Sequence, residues 1–205
     1  KLMRLDCRSR EFEYFPFDPK GYKLVLVDSV VKHELASSAY NDRRKSCENV
    51  VAALKNKYPD KTIETLRDAD WDMLESVKAD VSEEDMKRAV YVLGEKDRVL
   101  AVCEALNAGD YETVGQKMYE THKGLSKDYE VSCEELDYLN DIAKENGVTG
   151  SRIMGGGFGG CTINLVKDEL HDKFIEDVKA KYEAKYGKTP KIYDVVISEG
   201  SRKIC

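Results

Sequence analysis

The chain has 205 residues, 41% of them hydrophobic and 35% charged, which fits one sizeable soluble domain with a densely charged surface. Its formal net charge is −6, with basic residues interleaved among acids, which argues against a nucleic-acid or anionic-membrane partner. No apolar run approaches the roughly 20 residues that span a bilayer.

The six cysteines (Cys7, Cys47, Cys103, Cys133, Cys161 and Cys205) stand far apart, with no CxxC pair and no histidine at metal-ligand spacing. Reduced and mostly buried thiols, no metal site and a cytoplasmic setting are therefore expected. The chain opens with Lys1 in a strand-like pattern and has its first methionine at Met3, which reads as a piece of something longer.

Three strand-like runs come first: Leu2–Cys7, Phe12–Phe17 and Tyr22–Asp28, separated by charged or Pro/Gly-bearing turns. KLVLVDS has the short, β-branched character of a buried central strand. A mostly helical middle follows. A helix over 38–57 is ended by Tyr58-Pro59, since proline disfavours helix at the residue before it. One or two short helices are expected around 62–75.

Met86, Val90, Leu93, Leu100 and Cys103 form a helical stripe over 82–107, and Gly109 follows it. Another helix fits 110–125. Ser132, three residues ahead of Glu135, has the spacing of a capping box for a helix running to about Asn146. The last section alternates: strand 151–154, a glycine run, strand 162–166, helix 168–186 and strand 192–198. The pattern predicts an α+β fold, an antiparallel sheet with helices packed on one face and an extra helical section.

Three clusters carry candidate chemistry. The first is GSRIMGGGFGGCT, where five of the chain's 14 glycines fall within Gly155 to Gly160. The run holds a formal GxGxxG, but a dinucleotide fingerprint needs a helix after the glycines, and CTINLV reads as a strand. No Gly-Lys-Ser/Thr follows either, which excludes a Walker A loop. A glycine hairpin and a loop that lets a ligand or another segment approach both remain open.

The second cluster gathers Lys32, His33, Tyr40, Arg43 and Arg44 where the buried strand passes into the first long helix, a frequent ligand position in layered folds. Taken singly, each also fits a structural role, and the arginine pair fits a solvated helix face. The third holds His122, Asp128, Glu130, Glu134, Glu135 and Asp137. Its acids could serve a metal or acid–base chemistry, and they also fit helix-start positions that complement the macrodipole.

Together VKHELASSAYNDRR, LSKDYEVSCEELD and GSRIMGGGFGGCTINLV resemble the carboxy-terminal half of the galactokinases, within the superfamily that holds homoserine, mevalonate and phosphomevalonate kinases. DCRS at positions 6 to 9 fits the same family, and the matches run in order from Asp6 to about Val166. The resemblance implies a ferredoxin-like GHMP kinase C-terminal domain over 1–205. Residues 1–20 would be strands leading to an N-terminal domain, and 21–205 the domain body.

It also implies transfer of the γ-phosphoryl of MgATP to the C1 hydroxyl of galactose. Tyr40 would contact the sugar. Lys32 would face the phosphates, and Gly155, Gly156, Gly157, Phe158, Gly159 and Gly160 would line the cleft. The family's early sugar-gripping segment, its Gly/Ser-rich ATP loop and its Met-Asp-Gln base have no counterpart in this sequence. The resemblance thus places no catalytic residue and no metal ligand here, and implies that the chain alone is inactive. Another sugar kinase of the superfamily and a non-catalytic sugar sensor remain alternatives.

Overall fold

A computed structural model describes residues 1–32 and 36–198, and of residues 36–38 the backbone only. The chain opens with a two-stranded antiparallel ribbon, β1 (Leu2–Leu5) and β2 (Phe12–Phe15), in which Met3 pairs with Tyr14 and Leu5 with Phe12. β3 (Tyr22–Asp28) follows and enters a separate four-stranded sheet with β4 (Gly150–Met154), β5 (Cys161–Lys167) and β6 (Lys191–Val195). The strand order is β4-β5-β3-β6, and every neighbouring pair is antiparallel. With the helix Glu134–Glu145 immediately before β4 and the helix His171–Tyr186 before β6, the sheet has the βαββαβ arrangement of a ferredoxin-like fold, and the other helices are inserted after β3.

The helices are α1 (Ala36–Lys57), α2 (Trp71–Ser76), α3 (Glu83–Ala108), α4 (Tyr111–Lys127), α5 (Glu134–Glu145) and α6 (His171–Tyr186). Short 3₁₀ turns occupy Leu66–Asp68 and Asp168–Leu170. Their ends follow local chemistry. Ser82 caps α3 by accepting from the Asp85 N–H, Asp110 caps α4 through Thr113, and Gly109 closes α3 in the left-handed conformation.

One expected cap is wrong. Cys133, not Ser132, stands at the start of α5 and makes no side-chain cap bond, because the Ser132 hydroxyl donates to Asp137 instead. The last strand also ends at Val195, three residues before the expected Ser198.

Alternation along β3 and β5 decides the layers. Val25, Val27 and Val166 point to one face and pack with Leu139 and Ile142 of α5 and Phe174, Val178 and Tyr182 of α6. Leu24 and Leu165 point to the other face, where Phe15, Cys103, Leu106 and Val114 meet them from β2, α3 and α4. The extra helical section has its own core of Val50, Leu54, Leu66, Met73, Leu74, Ala89 and Leu93. Among the described residues no helix is long and apolar enough to cross a membrane.

The thiols depart from expectation. Cys7, Cys47, Cys103, Cys133 and Cys161 are free, but only Cys103 is buried.

Candidate functional site

The glycine run folds as the hairpin between β4 and β5, with Met154 paired to Cys161 across its base. Its shape is set by close approach. A Cβ at Gly156 would strike the Tyr40 hydroxyl, and one at Gly157 (φ +84°) would strike the Val131 carbonyl. Gly157 therefore requires glycine, whereas a side chain at Gly156 would have to push Tyr40 aside. The Tyr40 ring meets the Phe158 ring edge-on, with centroids 5.4 Å apart. Helix α1 thus presents Tyr40 directly to the hairpin, although 116 residues separate it from Gly156 in sequence.

Two further segments close on the hairpin. The residues after β3 reach it through Ser29, whose N–H and hydroxyl both donate to the Gly160 carbonyl at 2.9 and 2.8 Å. The Val31 carbonyl accepts from the Gly160 N–H at 3.4 Å. On the other side, the α4–α5 connection offers the Val131 carbonyl to the Phe158 N–H at 2.7 Å.

Backbone strain gathers at this junction. Four non-glycine residues among those described have positive φ: Arg10, Val30, Glu130 and Phe158. The last three sit one in each of the three converging segments. Each such conformation costs on the order of 1–3 kcal/mol and persists only where its surroundings over-determine it.

Tyr40, Gly155 and Gly156 help to line a cleft of about 1270 Å³ that runs between the β1–β2 ribbon and helix α3. Leu66, Tyr91, Leu125 and Tyr129 line it further along. Burial raises the Tyr40 phenol above its ordinary value, so the group facing the cleft is a neutral hydroxyl. Gly155 and Gly156 are among the residues that line this pocket. Gly157, Phe158, Gly159 and Gly160 turn back onto Val131 and Val31. Lys32 is exposed beside Val31 and is not part of the cleft lining. His33 lies outside the described residues.

The acidic cluster is structural. Glu134, Glu135 and Asp137 occupy the first turn of α5, complementing its dipole. Burial pushes the Asp137 carboxyl up, but hydrogen bonds from His122, Ser132 and Ser126 outweigh it and hold the group well below the usual carboxylate range. No group of three or more His, Cys, Asp or Glu able to hold a metal exists among the described residues.

Arg43, grouped with Arg44 as solvated helix surface in one reading of the sequence, is instead tied into the site. Its Nε donates to the Tyr129 carbonyl at 2.5 Å and a terminal nitrogen to the Glu130 carbonyl at 3.0 Å. Arg44 does stay in solvent, paired with Glu48 one turn along its own helix. The residue missed altogether is Val131. A carbonyl carries no signal in sequence; only the need for glycine at Gly157 could have pointed to a close neighbour.

Residues 102–184 match the family model described as GHMP kinases C terminal. A galactokinase of Clostridium acetobutylicum is 42% identical over 98% of this chain and 51% of its own length. One of Thermotoga maritima is 39% identical over 98% of the chain and 54% of its length. The chain thus spans about half the length of the curated relatives it matches.

Among solved structures, Lactococcus lactis galactokinase complexed with galactose superposes with a TM-score of 0.89 at 28% identity, over 98% of this chain and 52% of that one. A mevalonate kinase of L. major, at 22% identity and a TM-score of 0.56 over 94% of this chain and 47% of its own, shares the fold.

Proposed function

We propose that this chain, which matches the GHMP kinases C-terminal model over residues 102–184 and galactokinases over nearly its full length, is the carboxy-terminal part of a galactokinase. The whole protein would move the γ-phosphoryl of ATP to the C1 hydroxyl of α-D-galactose. The observation that carries the reading is the seating of Tyr40 against Gly156 in the lining of the cleft, in a chain 42% identical to a galactokinase.

Phosphoryl transfer rests on positioning and electrostatics more than on covalent chemistry by the protein. The residues here suit those tasks. The Tyr40 hydroxyl, kept neutral, can exchange hydrogen bonds with a sugar hydroxyl. Among the described residues no backbone hydrogen bond engages the N–H groups of Gly155 or Gly156, and backbone amides of this kind can bind anionic oxygens. Lys32, next in sequence to the Val31 that meets the hairpin, adds an exposed cation.

ATP supplies the transferred group. A magnesium ion would travel with ATP, and on the family resemblance the catalytic base would come from a segment with no counterpart in this sequence.

The rest of the protein also gives the ribbon a partner. Met3, Leu5, Phe12 and Tyr14 are exposed on one face of β1–β2 and are, in this reading, covered by the preceding domain.

The test is galactose 1-phosphate formation from galactose and MgATP, by the full-length protein and by this chain alone. The full-length protein is expected to turn over at roughly 1–10³ s⁻¹, and the chain alone not at all. A full-length protein that binds galactose without turnover would contradict the enzyme reading and favour a sensor. Ordinary turnover by the chain alone would contradict the placement of the base outside it.

A further inference from the structure

Between α4 and α5 the backbone passes through Asp128, Tyr129, Glu130 and Val131, and each of these four carbonyls has its own donor. Buried Arg88 of α3 donates to Asp128. Arg43 of α1 donates to Tyr129 and Glu130, and the Phe158 N–H of the glycine hairpin donates to Val131. Glu130 itself is held at φ 51°, and its carboxylate receives Arg88 at 2.8 Å and Lys87 at 3.1 Å. Ser126, Ser132 and His122 pin the far side of the connection through Asp137. Nothing in this stretch is left free to drift.

Arg43 lies three residues after Tyr40, one turn on along α1. The same helix therefore makes two ties to the hairpin. One is direct, from Tyr40 to Gly156 and Phe158. The other is indirect, from Arg43 through the Tyr129–Val131 backbone to Phe158. A planar guanidinium can span two successive carbonyls; an ammonium offers a point charge without that fork.

We propose that Arg43 is a positioning residue, which fixes the spacing between Tyr40 and the glycine hairpin by holding the Tyr129 and Glu130 carbonyls. This rests on the galactokinase reading for its kinetic consequence. In that reading Tyr40 addresses the sugar and the hairpin the phosphates, so their spacing sets the alignment of the reacting groups. Misalignment of about 1 Å costs on the order of 10²-fold in rate, while substrate contacts made by other residues survive.

The experiment uses the full-length protein with Arg43→Lys, Gly157→Ala and the pair combined. Arg43→Lys is expected to lower kcat roughly 10- to 100-fold while the galactose KM stays within about threefold. Gly157→Ala strikes the Val131 carbonyl from the hairpin side and should give the same signature. Because both act through one tie, the double variant should lose no more than the worse single variant.

Hydrogen exchange of the Phe158 amide should quicken in Arg43→Lys, a readout independent of catalysis. Absent activity in the unmodified protein would sink the galactokinase reading, whereas Phe158 exchange still tests the positioning. Unchanged kcat and unchanged Phe158 exchange in a folded Arg43→Lys protein would overturn the proposal, as would losses that multiply in the double variant. Should Arg43→Lys fail to fold, Gly157→Ala carries the test alone, and an unchanged kcat in it overturns the proposal.

Discussion

The four-stranded sheet and the two-stranded ribbon are built from the same kind of alternating apolar sequence, yet only the sheet completes its own burial. Val25, Val27, Phe174, Val178 and Tyr182 are almost fully removed from solvent between the sheet and helices α5 and α6. On the ribbon, Met3, Leu5, Phe12 and Tyr14 remain about half exposed. The ribbon is held to the body by buried Phe15 on its other face and by charge at its turn. Arg8 donates to both carboxylate oxygens of Asp68, and Arg67 to both of Asp6. An isolated two-stranded ribbon is marginal in water. The sheet is thus a self-sufficient platform for the site, whereas the ribbon keeps one apolar face exposed.

The comparison breaks most visibly at its two aromatic anchors. Phe174→Ala should cost this chain about 3–5 kcal/mol in denaturant unfolding, and Phe12→Ala about 0.5 kcal/mol or less. Near-equal losses would show that the ribbon is as fully packed as the sheet. In the full-length protein Phe12→Ala should cost distinctly more than in the chain alone, if the preceding domain covers it.

Tyr182→Phe comes next. The Tyr182 hydroxyl donates at 2.7 Å to the buried carbonyl of Ser29, which in turn fastens the hairpin at Gly160. Its loss should cost about 1–3 kcal/mol, the range for a buried carbonyl left unpaired. Exchange at the Ser29 amide should quicken along with the lowered stability; a stability within about 0.3 kcal/mol of the original would contradict the tie.

The smallest effect separates the two regions by pH. Asp6 and Asp68 are held well below the ordinary carboxylate value of 3.8, chiefly by hydrogen bonds from Arg67 and Arg8 respectively. Their contribution is present above that value and is lost as pH falls below it. His171 goes the other way. Burial lowers its pKa, but hydrogen bonds to Asp194 and Asp172 prevail and raise it above the ordinary 6.5.

The tie from His171 to Asp194 of β6 is therefore complete below pH 6.5 and weakens as pH rises past the raised value. Amide exchange should quicken at the ribbon turn on acidification and at β6 on alkalinisation. The same direction of change at both places would contradict the assignment.

Most elements are legible in the sequence because they follow local rules. Pro59 ends α1, Gly109 ends α3, and the four-residue recurrence of Phe174, Val178 and Tyr182 marks the buried face of α6. The glycine hairpin is legible for the same reason, since a β-branched strand, not a helix, follows it. Contacts between distant segments are not. The Ser132 cap fails because Asp137, five residues on, competes for the hydroxyl. Arg43 and Arg44 are indistinguishable by type, and only the folded α4–α5 connection selects one of them. Val131 contributes a backbone atom, which no residue type announces.

The most direct test of the site is the pair of Michaelis constants of the full-length protein carrying Tyr40→Phe. Removing the hydroxyl while leaving the ring against Phe158 should raise the galactose KM about three- to tenfold, as loss of one sugar hydrogen bond requires, with the ATP KM within about twofold. A galactose KM that does not change, or a rise confined to ATP, would contradict the placement of the sugar beside Tyr40.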